Sequence, residues 1–321
     1  MIRRSNGLFD IVLQCGRVID PETGLDANRS VGIRGDKIAA ITREPLNGKL
    51  IIEADSSIVS PGWIDVCDGV QSLECEWDQA SDGVTTILET EPDGIPVRRW
   101  YDHQALYGRA LNYGLLGGSA YSLFCRHVPG PWNLTAFNGD AGSKAFDNDQ
   151  IAHIQARLRE EHSSYIDGGL PGWKNDAATS VKLRRRSRLG QLARSFVRHE
   201  TDSPAGAFIE KMRFPSFIEK WVSLGGHLSL REAIDCCSFS VAKIFEPDYP
   251  KMGNKGRLQV GADADVVVFS LDQMPEQPER LMSDDRNLRV QHVIVNGTLL
   301  IRDEELDVIA LPGRPILSMR M

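Results

Sequence analysis

Side chains able to hold a metal or move a proton are scattered along this 321-residue chain. The seven histidines, at 103, 127, 153, 162, 199, 227 and 292, stand alone, and no His-x-His pair occurs. Zinc sites recruit clustered ligands, so a lone histidine reads first as a surface or packing residue. The six cysteines, at 15, 67, 75, 125, 236 and 237, lack zinc-ribbon spacing, and a disulfide framework does not suit a chain this long. Cys236-Cys237 lies on an apolar helical pattern and reads as core packing. The basic run Lys182 to Arg188 reads as a solvated helix face, with a nucleic-acid patch as the alternative.

Composition narrows the setting for any such chemistry. Lys+Arg is 37 and Asp+Glu is 44, a formal charge of −7, which argues against a whole-protein role on nucleic acid or anionic membrane. Apolar residues make up 41% and are well spread, enough for a large core and against global disorder. The longest apolar runs, such as Val266 to Phe269, are strand-sized, far below the ~20 residues that span a bilayer. The basic N-terminus is followed by no apolar secretory core, so the expected compartment is the reducing cytoplasm.

The elements that must position a site fall into three parts. Phe9 to Ile19, Ser30 to Ile41, Ile51-Ile52 and Ile58-Val59 carry β patterning, with a hairpin turn expected at Arg34-Gly-Asp-Lys37. Gly261 to Phe269 and Val290 to Arg302 repeat it at the other end, the latter with an Asn296-Gly297 turn whose central residues both need positive φ. Between them the pattern is mixed α/β. Trp63 to Val66 and Thr85 to Glu89 read as strands. Trp100 to Leu111, Ile151 to His162, Phe208 to Val222 and Ser229 to Phe245 read as helices. Ser229-Leu-Arg-Glu232 is a capping-box start. Two β-rich ends flanking an α/β middle suit a small accessory domain beside a barrel or open sheet.

Five segments, in order, resemble the amidohydrolase superfamily. Pro61-Gly-Trp-Ile-Asp65 is similar to its first barrel strand and Asp82-Gly-Val-Thr-Thr86 to its second. Lys255 to Phe269 resembles its C-terminal β segment. His292-Val-Ile-Val-Asn-Gly297 and Pro312-Gly-Arg-Pro315 resemble the tail of the D-aminoacylase and N-acyl-D-glutamate deacylase branch. The resemblance implies a (β/α) TIM-type barrel beside a β-sandwich built from both chain ends. It also implies zinc or another divalent metal at the C-terminal ends of the barrel strands, hydrolysing amides of N-acyl amino acids.

Departures from that pattern shape the expected site. The family's paired histidines fall at Cys67 and Gly69. Glycine offers no ligand atom, while a cysteine thiolate can bind zinc. By the resemblance, Asp202 in Thr201-Asp-Ser203 is the catalytic aspartate, with a helix N-cap or Asx turn as its other reading. Cys67, Asp68, Glu89 and His199 are the residues a rebuilt metal site would use. Glu89 reads equally as the partner of a nearby arginine. From Trp63 to Val241 there are about 180 residues, against about 250 for a complete barrel.

The resulting expectation is a composite β-sandwich over 1–60 and 255–321 and a truncated α/β barrel over 61–254. Three functional readings stand side by side. One is a deacylase-like hydrolase of small-molecule amides with an impaired metal site. The second is a pseudoenzyme or shortened product that needs no metal. The third is a divergent hydrolase with a rebuilt Cys/Asp/Glu site. A homo-oligomer is compatible with each, since an incomplete barrel leaves sheet edges exposed.

Overall fold

The computed structural model describes residues 8–67, 72–90, 96–116, 214–224, 228–271 and 288–319, with 149, 151, 152, 155 and 156. Alternating β-branched residues near both ends of the chain assemble into one nine-stranded sheet. Its strands are β1 (Phe9–Asp20), β2 (Leu25–Arg34), β3 (Lys37–Thr42), β4 (Gly48–Glu53), β5 (Ile58–Pro61), β9 (Val266–Leu271), β10 (Leu288–Val295), β11 (Thr298–Arg302) and β12 (Glu305–Leu306). The order is β12-β11-β10-β9-β5-β1-β2-β3, with β4 paired to β1 off that path. The two ends meet where β5 runs antiparallel to β9, Ile58 opposite Phe269 and Pro61 opposite Val266.

A second, four-stranded parallel sheet is formed by β6 (Trp63–Cys67), β7 (Val84–Thr90), β8 (Asn112–Leu116) and the short β13 (Pro315–Ile316), in the order β13-β8-β7-β6. Helices α1 (Leu73–Ser81) and α2 (Val97–Tyr107) connect β6 to β7 and β7 to β8. The later helices are α3 (Phe214–Ile218), continued by a π-helical stretch at Glu219–Leu224, then α4 (Leu230–Cys237) and α5 (Phe239–Phe245). No helix among the described residues is long and apolar enough to cross a membrane.

Side-chain alternation on β9 explains its unbroken apolar run. Val266 and Val268 pack into a core with Leu13, Val31, Ile33, Ile38 and Ile294. Val267 and Phe269 face the opposite way, into a core shared with Trp63, Ile87, Phe217, Ile234 and Val241. A strand covered on both faces reads as continuous hydrophobicity rather than alternation. The Asn296-Gly297 turn has φ of 47° and 73°, as the dipeptide requires.

Several elements depart from the sequence pattern. The 100–111 helix spans 97–107, because Gly108 at φ 76° ends it and sends Arg109 to Leu111 toward β8. The 229–245 helix breaks at Ser238, whose hydroxyl donates back to Ile234 O (2.6 Å). The break lets Gly256 lie against the Ser238 carbonyl, where an added Cβ would come within 2.7 Å. The capping box forms, with the Ser229 hydroxyl accepting from Glu232 N–H and the Glu232 carboxylate reaching back. Strand β2 starts at Leu25, five residues before its apolar core. The 151–162 helix lies largely outside the described residues.

Candidate active site

Strands β6 and β7 bring the motif residues together. Gly62 lies so close to Thr85 that a Cβ would come 2.0 Å from its hydroxyl, and its N–H donates to Asp265 O (2.9 Å). Gly83, at φ 90°, lies against the Trp63 ring, where a Cβ would come within 2.6 Å. The glycines of the first two motifs thus seat β6 on β7, and Gly62 also ties the pair to the C-terminal β segment. In this register Cys67 stands opposite Glu89 at the C-terminal ends of the two strands.

Each of these two candidates has another partner. The Cys67 thiol is buried and lies 3.9 Å from Leu88 O as a weak donor. Glu89 is fully buried and accepts from Arg109 Nη2 (2.7 Å). Arg109 also donates through Nε to Glu76 on α1 and through Nη1 to Gln104 (3.0 Å). Glu76 accepts the Ala110 and Leu111 amides as well, at 2.9 and 3.1 Å. The guanidinium lies over the rings of Trp100 and Tyr113, 5.8 and 5.2 Å from their centroids.

This Glu76–Arg109–Glu89 triad is an ion cluster with almost no water around it. Burial pushes the Glu76 carboxyl above its ordinary range, opposed by Arg109 and the Leu111 amide. Burial works against the Arg109 charge too, but the two carboxylates outweigh it and hold its pKa above the usual value. Asp65 is buried and accepts from Gln79 Nε2 (2.7 Å). Cys236 and Cys237 are buried, and burial pushes both thiols up, so they remain neutral core groups.

Cys67 and Glu89 are both taken up by protein partners. Glu89 is engaged by an arginine, the Cys67 thiol faces a carbonyl, and among the described residues no three His, Cys, Asp or Glu side chains gather to hold an ion. Asp68, His199 and Asp202, with Gly69 and the basic run 182–188, lie outside the described residues.

A second polar cluster escaped sequence reasoning, although all of its residues but Asn112 sit in recognised motifs. Lys255 is buried and donates to Asp265 (2.6 Å) and Asn296 (3.4 Å), with Asp263 at 2.9 Å. Asp265 also accepts from Asn112 Nδ2 (3.0 Å) and the Asn296 amide (2.7 Å). Asn296 donates to Asn112 Oδ1 (2.7 Å) and Pro312 O (2.8 Å). The cluster joins the two sheets; it is a structural use of the Lys255 to Phe269 motif. Arg109 was equally overlooked, yet a lone charge just before an apolar strand signals a required partner.

Comparison with known proteins follows the same lines. Residues 198–300 match the amidohydrolase family. The fold is similar to that of N-acyl-D-glutamate deacylase from Bordetella bronchiseptica, solved with zinc and a phosphonate mimic of the tetrahedral intermediate: 14% identity, 97% of this chain and 100% of that one, TM-score 0.56. It is similar to a D-aminoacylase at 15% identity, 96% and 99% coverage and TM-score 0.57. L-hydantoinase from Arthrobacter aurescens is similar at 15% identity, 96% and 100% coverage and TM-score 0.56. No curated protein matches the chain. The architecture is therefore the α/β fold of the amidohydrolases. The family match over 198–300 and the structural likenesses agree on that fold, which D-aminoacylases and hydantoinases share.

Proposed function

We propose that this chain is a relative of metal-dependent N-acyl-D-amino-acid deacylases in which the metal site is impaired or lost. The observation that carries the reading is the engagement of Glu89 by Arg109 inside a buried ion triad. Gly69, where the family pattern calls for a ligand, has none to offer. A small-molecule amide is the ligand class that suits the fold. Without a metal to ionise water near neutral pH, a proton-transfer group such as Asp202 supplies only ~10²–10⁴-fold, too little for an unactivated amide.

The domain reading goes with it. Residues 1–60 and 255–321 form a composite β-sandwich and 61–254 an incomplete barrel, except that Pro315–Ile316 leaves the first unit to pair with β8 in the parallel sheet. The interleaving of β5 and β9 and the core that both ends share support the first part. The short span between the β-rich ends supports the second. We read the protein as cytoplasmic and as a candidate homo-oligomer, acting on neither nucleic acid nor membrane.

The test is to purify the full chain, measure bound zinc, and assay N-acyl-D-glutamate and other N-acyl-D-amino acids. The expected result is folded protein with substoichiometric zinc and no turnover. Stoichiometric zinc with turnover abolished by Asp202→Asn would overturn the proposal. One observation favours a second reading, a rebuilt site of Cys67, Asp68, Glu89 and His199: Cys67 and Glu89 stand opposite each other on β6 and β7. On that reading Cys67→Ser releases bound zinc.

A further inference from the structure

We propose that the outer edge of β8 is a strand-acceptor site, filled in cis by the chain's own C-terminal segment, Leu311–Met319, the last strand of the parallel sheet on that side among the described residues. In a strand, the N–H and C=O of every second residue point to the same side. Tyr113 donates its N–H to Arg314 O (3.1 Å), away from β7. Two residues on, Leu115 donates to the Tyr101 hydroxyl (3.0 Å) and accepts from the Tyr249 hydroxyl (2.6 Å). The Tyr101 hydroxyl passes its own proton to Ile316 O (2.8 Å), so the tail and the two tyrosines form one seal. A further strand pairing with β8 at this edge would have to displace the tail and both hydroxyls.

The site is shaped for one kind of occupant. Gly313 passes so near β8 that a Cβ would meet Leu111 O at 2.0 Å, while its N–H donates to Arg109 O (2.8 Å). Arg314 N–H donates to the Asn112 side chain (3.2 Å). Pro315 and Ile316 run parallel to Tyr113 and Gly114, and the Ile316 side chain is buried in the larger core. Beyond them Lys251 donates to Pro315 O (3.1 Å) and Met319 N–H to Asp248 O (2.9 Å). The edge therefore accepts an extended peptide with glycine at the close approach and an aliphatic residue three positions later. This goes beyond the incomplete-barrel reading, which rests on length, and stands or falls independently of the metal site.

Hydrogen exchange on the full chain tests it residue by residue. Tyr101→Phe should speed exchange of the Leu115 amide by at least about tenfold while leaving β9 and β10 amides unchanged. A Leu115 amide that stays equally protected is held by another strand, and the proposal fails. A second measurement uses a protease site placed in the exposed turn at 307–310, cut after folding. Retention of the cut segment, or its replacement by a fluorescent peptide of residues 308–321 with a rise in anisotropy, supports the site. Replacement should not occur with the same peptide carrying Ile316→Asp. Loss of the segment with Tyr113 and Leu115 amides still protected would overturn it. Zinc content is expected to be the same before and after cutting, which separates this result from the functional test above.

Discussion

Glu89 carries the contest between a ligand and a structural ion pair. The sequence offered both roles at equal weight, because a carboxylate ending an apolar strand needs some cation nearby. It could not say which cation, since Arg109 is twenty positions on and its reach depends on how α2 ends at Gly108. Removing the arginine leaves two carboxylates buried together, and breaking such a cluster costs about 3–5 kcal/mol. Arg109→Met should lower stability in urea by that order, and adding Glu76→Gln with Glu89→Gln should restore part of it. Additive losses across the three substitutions would show that the side chains are not coupled. Asp235 allows a test by pH. Burial lifts its carboxyl from 3.8 to about 6, although the Ser240 hydroxyl donates to it (3.0 Å). The folded state thus holds that proton more tightly than the unfolded chain does. Its stabilising contribution is full below about pH 4 and is lost as pH rises toward about 6. Asp235→Asn should stabilise the protein by about 1–2 kcal/mol near pH 8, a two-unit shift reduced for the partly solvated side chain, and change little near pH 4. Equal effects at both pH values would contradict the burial argument.

At the scale of elements, local chemistry was legible and pairing was not. The Asn296-Gly297 turn, the Ser229 capping box and the apolar run of β9 all follow from short-range rules, and all are present. Strand β8 was missed because Asn112 to Leu116 is short and buried on both sides, so it has no alternation to read. The two-residue β13 carries no periodicity at all, only the Pro312-Gly-Arg-Pro315 signature. Gly62 shows why such a signature persists in physical terms: β6 and β7 cannot approach as they do with a larger residue facing Thr85. Gly62→Ala should destabilise by about 1–3 kcal/mol through overpacking, and Thr85→Ala in the same chain should relieve much of that. Thermal unfolding of the two single variants and the double variant closes the cycle. If Thr85→Ala gives no relief, the close approach is not what holds the glycine.

For the whole molecule the decisive fact is strand order, which no local pattern encodes. Residues more than two hundred positions apart become neighbours where β5 lies between β1 and β9. The Lys255–Asp265–Asn112–Asn296 cluster then fastens that sheet to the parallel one, with Asn296 and Pro312 supplied by the C-terminal end. Removing residues 290–321 would take most of β10 and all of β11 to β13, together with Val293, Val295, Leu300, Ile301 and Ile316 from the larger core and Ile294 from the smaller. It would also leave Asp265 without the Asn296 amide, one of its buried donors. Burial losses on this scale exceed the 5–15 kcal/mol by which most domains are stable. The damage should therefore reach β1 and β2, which pair with none of the deleted strands. Hydrogen exchange over residues 9–34 should accelerate toward unfolded rates in the shortened chain. Protection there equal to that of the full chain would mean that the N-terminal strands fold as a unit of their own, and that the shared sheet is an assembly of two independent parts.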